Sequence, residues 1–141
     1  MAAAWMFTDA TLQDQLQSWL NAHDADDPWI YVLYQNDYEP DDDTVLADMT
    51  PADFDGYDDV NIDPADYGAV AVVAHVAIAT STVDAVYTAS PTASAQTIYG
   101  YYVTDSLGNL LWAESFSTPR EILADDVFTL TPRLKHKTCR E

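Results

Sequence analysis

The sequence predicts a mainly β chain: an antiparallel β-sandwich or jelly-roll-like domain with one N-terminal amphipathic helix. Three observations carry that reading. Only residues 11–22 repeat their apolar side chains at helical spacing. Elsewhere aromatic and β-branched runs alternate with Gly, Pro, Asn and Asp punctuation, as strands and turns do. With 48% hydrophobic and 12% aromatic residues the chain can bury a core, which removes it from the acidic disordered class. A length of 141 residues fits one domain, 1–141.

Residues 1–10 read as an N-terminal arm carrying Trp5 and Phe7, large apolar groups poorly protected near a terminus and suited to a subunit contact. Thr8 or Asp9 can cap the helix over 11–22, and Asp9 and Asp14 lie where the helix dipole favours negative charge. Leu12, Leu16, Trp19 and Leu20 make its apolar stripe, with Gln13, Gln15, Gln17 and Ser18 opposite. A β domain is expected over 29–131. Trp29 to Tyr34 is its first strand, bounded by Pro28 and Asn36-Asp37.

Residues 37–68 form an acidic, turn-rich excursion, ordered because Val45, Leu46, Met49, Phe54, Tyr57 and Ile62 can anchor it. Ala69 to Thr82 reads as one strand, with Val70, Val72, Ala74, Val76 and Ile78 on one face and Val73 and His75 on the other. Val83 to Thr88 continues it or adds a strand. Thr97–Thr104 and Leu110–Phe116 flank Asp105-Ser106-Leu107-Gly108-Asn109, a hairpin loop. Val127 to Thr131 is a short last strand, and residues 132–141 a basic C-terminal tail.

The charge is segregated. The chain has 24 acids and 5 bases, a net charge of −19, yet Arg120, Arg133, Lys135, Lys137 and Arg140 all follow position 119. Residues 1–119 hold 20 acids and no base. Nucleic acid is not an expected partner, since phosphate binding draws on clustered Lys and Arg. A membrane is not expected either: the longest apolar run, Ala69 to Ala74, is far short of the roughly 20 residues a spanning helix needs. The N-terminal Met-Ala-Ala-Ala-Trp lacks the basic region of a signal peptide. The basic end of the chain, with Arg133, Lys135 and Lys137, reads as a strap for an acidic neighbour, including another copy of the chain.

No residue pattern points to catalysis, and no cofactor is expected. Residues 24–66 contain 15 acids, but the alternating Asp/Asn, Gly and distal Glu of a calcium loop are missing, so a solvated acidic face is the expectation. His23, His75 and His136 share no metal spacing, and the single Cys139 makes neither an internal disulfide nor a thiolate zinc site. There is no G-x-S-x-G elbow and no phosphate loop. Tyr99, Tyr101 and Tyr102 opposite Trp112 and Phe116 read first as sheet packing and second as a glycan platform.

Two segments carry a family resemblance. Residues 44–57 read TVLADMTPADFDGY and residues 98–116 read IYGYYVTDSLGNLLWAESF, together 33 of 141 residues. The pair resembles "VLADFTEADFTGY" and "YGYYVTDAAGTLLWAERF", which recur in that order in small virion proteins of tailed bacteriophages. The match is close in the hairpin, moderate in the acidic loop and absent from the helix and the basic end. The resemblance implies a non-enzymatic virion component, in the head or in the tail. Short length, freedom from disulfides and the absence of a fibrous repeat favour a capsid cement or decoration protein. Such a protein would sit on the outer capsid surface, bind the major capsid protein and assemble as a homotrimer. The alternative is a tail-fibre or receptor-binding module recognising host surface glycans.

Overall fold

The computed structural model describes residues 8–23 and 28–137. The chain is mainly β and antiparallel, with a helix before the strands. It folds as two compact units built from interleaved segments: Met1–Asp26, Asp63–Asp84 and Thr131–Glu141 form one, Asp27–Ile62 and Ala85–Leu130 the other.

The first unit is one helix on one sheet. Helix α1 spans Asp9–His23. Thr8 starts it: its carbonyl accepts the Leu12 N–H at 3.0 Å and its hydroxyl the Thr11 N–H at 3.2 Å. Leu12, Leu16 and Leu20 are buried, each burial contributing roughly 2 kcal/mol. Trp19, expected in the same stripe, lies at its edge, 36% exposed, its ring against His23.

Under the helix lie β3 (Ala71–Val73), β4 (Val76–Thr80) and β9 (Arg133–Lys137), in the order β3-β4-β9. Two expectations change here. The single strand over 69–82 is a tight hairpin, folded at Ala74 (φ 49°) and His75 (φ 64°) with Val73 paired to Val76. Two residues at positive φ match the twist of the flanking strands, even though neither is the usual Gly or Asn. The segment expected as a basic tail from 132 forms β9, paired with β4 from Val76↔Lys137 to Thr80↔Arg133. Its alternation supplies the reason. Leu134 and His136 pair with the buried Ala79 and Ala77, and His136 meets Gln15 of α1 at 2.6 Å.

The second unit holds a four-stranded sheet in the order β2-β1-β6-β7. Its strands are β1 (Trp29–Tyr34), β2 (Val60–Ile62), β6 (Gln96–Thr104) and β7 (Leu110–Ile122). A two-stranded ribbon, β5 (Ala85–Thr88) with β8 (Val127–Leu130), completes it. β1 matches its expected bounds, and Asp105–Asn109 closes the β6–β7 hairpin. There Asp105 Oδ1 accepts the N–H groups of Leu107 and Asn109, both at 2.9 Å. The Asn109 side-chain amide, donating to Oδ2 at 2.9 Å, and then these backbone bonds hold the Asp105 carboxyl below the usual carboxylate range.

The layering is sandwich-like. On one face of the sheet the ribbon packs through Tyr87, whose hydroxyl donates to the Tyr31 carbonyl at 2.9 Å, and through Phe128, 5.6 Å from the Phe116 ring. The other face, with Val32, Tyr34 and Tyr102, is covered by Met49 and Tyr38 of the acidic excursion. That excursion is therefore a structural layer, and it also supplies the edge strand β2. Met49, Phe54 and Ile62 anchor it as expected, with Tyr57 half-buried and its hydroxyl accepting the Leu33 N–H at 3.0 Å. Val45 and Leu46 do not anchor it: they are 56% and 39% exposed.

Candidate functional site

The chain's bases are placed by strand register. In β9, Leu134 and His136 share the helix side of the sheet, so Arg133 and Lys135 alternate to the opposite side. They stand opposite Thr80 and Ile78, and Lys137 continues the register opposite Val76. In the neighbouring hairpin, Ala71 pairs with Ile78 and Val73 with Val76, so these four side chains lie on that same open side. Val73 is 60% exposed, Ala71 exposed, and Val76 and Ile78 half-buried. Arg133, Ala71, Val73, Ile78 and Thr80 bound a shallow groove of about 420 Å³. Among the described residues neither Arg133 nor Lys135 lies within ion-pair distance of a carboxylate. The result is an aliphatic patch edged by unpaired positive charge, in a chain with 24 acids.

Arg120 is differently placed. Its guanidinium lies 5.1 Å from the Phe128 ring centroid, a cation–π contact inside the second unit. Trp5 and Phe7, expected as docking residues, lie outside the described residues, as do Cys139 and Arg140.

The acidic excursion presents the opposite character. Residues 38–48 are held by short side-chain bonds. Asp41 Oδ1 accepts the Asp43 N–H at 2.9 Å, and Thr44 Oγ1 accepts the Asp41 N–H at 2.7 Å. The Tyr38 hydroxyl donates to Asp48 Oδ2 at 3.2 Å, which also accepts the Val45 N–H at 3.0 Å. Asn36 ties the base, donating to the Asp48 carbonyl at 2.8 Å and accepting the Thr50 N–H at 2.7 Å. This scaffold leaves Asp41, Asp42 and Asp43 exposed directly before exposed Val45 and Leu46. Among the described residues no three of His, Cys, Asp and Glu come together as a metal site.

The other clusters have structural geometry. The Asp55 carboxylate accepts from the Ser90 hydroxyl at 2.6 Å and from the Thr92 hydroxyl, which hold it below the usual carboxylate range. The bonds fasten the turn at Gly56 (φ 89°) to residues 89–93, so close that a Cβ on Gly56 would lie 2.6 Å from the Ser90 nitrogen. His75, expected within a strand and packed, stands at the tip of the β3–β4 hairpin. Its side chain is 80% exposed and 2.9 Å from Asp9 Oδ1. His23 ends α1 and His136 belongs to β9.

The tyrosine-rich hairpin turns inward. Tyr101 and Tyr102 are buried on opposite faces of the sheet, and Trp112 packs edge-on against Trp29 and Tyr31 at 5.4 and 6.0 Å. Burial pushes the Tyr101 hydroxyl up to about 12. These rings serve sheet packing.

Sequence reasoning located the basic residues and missed the patch beside them. Ala74-His75 is not a turn signature, so nothing in the local pattern marked the hairpin that brings Val73 and Val76 together. No family model, curated protein or solved structure matches the chain.

Proposed function

We propose that this chain is a structural protein of a tailed-bacteriophage virion. In this reading it is a cement or decoration protein that binds the major capsid protein on the outer capsid surface, as a homotrimer, and stabilises the lattice. One observation carries the reading beyond the resemblance itself. The two phage-like segments, 44–57 and 98–116, are far apart in sequence and pack on each other: Met49 clusters with Tyr102 and is flanked by Tyr99, Leu110 and Ala113. They behave as one co-folded element, which is how a shared domain, rather than two chance likenesses, would place them.

The surfaces agree with a role in repeated protein contacts. One is basic and aliphatic, the other acidic and aliphatic, and a protein present in many copies uses such patches to fix its neighbours. The inward-facing tyrosines give the glycan-binding alternative no comparable support.

Gold-labelled antibody against the chain, imaged on the virus particles that carry it, tests the proposal. Label distributed over the head supports it. Label confined to the tail sinks it.

A further inference from the structure

We propose that the open face of the β3-β4-β9 sheet is a self-assembly site whose occupant is the acidic excursion, residues 41–46, of a second copy. The site stands on side-chain placement and not on the virion reading, which survives its failure.

Three features of the structure point to this occupant. First, the face has Arg133 and Lys135, without a carboxylate partner among the described residues, beside Val73, Val76 and Ile78, so it suits a ligand that is both anionic and apolar. An aliphatic patch alone would accept many partners; the cations select among them. Second, residues 41–46 offer that combination within one short loop: Asp41, Asp42 and Asp43, then Val45 and Leu46 at 56% and 39% exposure. Third, the loop is preorganised. The bonds among Tyr38, Asp41, Thr44 and Asp48 fix its backbone before binding, so docking orders few additional groups.

The two surfaces differ, so the contact is heterologous: the face of one copy takes the loop of the next. Contacts of this type close into rings when the rotation between copies allows. A ring also answers the self-repulsion of a chain with net charge −19. Each contact neutralises carboxylates with Arg133 and Lys135 of the first unit, and buries aliphatic surface on both sides.

The test is sedimentation equilibrium of the full chain and of charge-reversed variants. Wild type is expected to associate. Arg133→Glu with Lys135→Glu should weaken association at least roughly tenfold, since like charges then meet across the contact. Asp42→Lys with Asp43→Lys should do the same, and all four substitutions together should restore association. Asp41 is left in place because it organises the loop. Circular dichroism checks folding throughout. Val73→Ser and Val45→Ser, both at exposed positions, provide a second pair of variants that weakens association without altering charge. A monomeric wild type, association indifferent to Arg133→Glu with Lys135→Glu, or a folded four-fold variant that stays dissociated would each overturn the proposal. Binding of the face to a different acidic protein while copies remain apart would overturn it too.

Discussion

Gly100 is the position where a single methyl group should do the most harm. It lies in β6 opposite Ser115 of β7 and Tyr34 of β1. A Cβ built there falls on the Glu114 carbonyl oxygen and the Tyr34 hydroxyl, and 2.6 Å from Tyr34 Cζ. Ordinary carbon contacts are about 3.5–4.0 Å, so something must move. Tyr34 cannot move freely: it is fully buried, and its hydroxyl donates to the Tyr38 carbonyl at 2.8 Å. Overpacking costs about 1–3 kcal/mol, and losing the hydroxyl bond about 1 kcal/mol. The smaller unfolded-state entropy of alanine offsets about 0.4–1 kcal/mol. Gly100→Ala should therefore destabilise the second unit by about 1–3 kcal/mol, lowering its melting midpoint by about 5–15 °C for a domain of this size. Near-ultraviolet circular dichroism reads that unit through Trp29, Trp112 and the packed tyrosines. Tyr34→Leu in the same chain should remove much of the penalty, a coupling that a double-mutant cycle measures. A Gly100→Ala protein melting within about 1 °C of wild type, or equal costs in both backgrounds, would show that Tyr34 does not close the space over Gly100.

Alkaline pH should unfold the second unit cooperatively. Burial pushes the Tyr34 and Tyr101 hydroxyls up to about 12 and raises those of Tyr57, Tyr87 and Tyr102. Their folded values lie above the unfolded value of about 10, so the stability they lend is intact below pH 10 and lost as pH rises through 12. Tyrosinate absorbance should rise together with the loss of near-ultraviolet dichroism; gradual titration of a folded protein would contradict this. At the acid end, Asp55→Asn should lower the neutral-pH melting temperature by removing the charge that Ser90 and Thr92 bind. The gap to wild type should close as pH falls through the depressed Asp55 value, because wild type then loses the same contribution. In the first unit, Ala74→Asn with His75→Gly should raise stability by about 1 kcal/mol, since both positions hold positive φ. The exposed His75–Asp9 pair lost in the exchange is worth little. A fall in the thermal midpoint would show that the turn is not strained.

Much of this was legible in residue order, and each failure has its own physical cause. The first strand could be placed to the residue because Pro28 and Asn36-Asp37 fence a dense apolar run. The β6–β7 hairpin showed itself through Gly108, which holds φ 86°. The β3–β4 hairpin did not, because apolar alternation runs unbroken through Ala74 and His75. A two-residue loop inserted in an alternating run changes which side chains share a face: Val72 remains on the helix side while Val76 and Ile78 move to the open one. The open patch could only emerge once that fold was known. β9 was hidden for another reason. Arg133-Leu-Lys-His-Lys137 has too few apolar residues to read as a strand alone, and it is one because β4 offers an edge and Gln15 a partner for His136. Val45 and Leu46 were expected as anchors on hydrophobicity alone. The excursion instead spends Met49, Phe54 and Ile62 on the core and leaves those two outside.

The interleaving of the two units ties the surface that carries Arg133 and Lys135 to long-range pairing. β8 ends at Leu130 and β9 begins at Arg133, so at about 5–20 residues per second the strands that complete the two units are synthesised about a second apart or less. Neither unit gains a useful lead. The β1–β6 pairing spans about 70 residues of chain and the β4–β9 pairing about 50–60, both slow, non-local steps. Until residues 133–137 add themselves to β4, the open face lacks both cations. A copy whose β9 has not yet docked therefore presents the aliphatic half of that face without the charge that would select a partner.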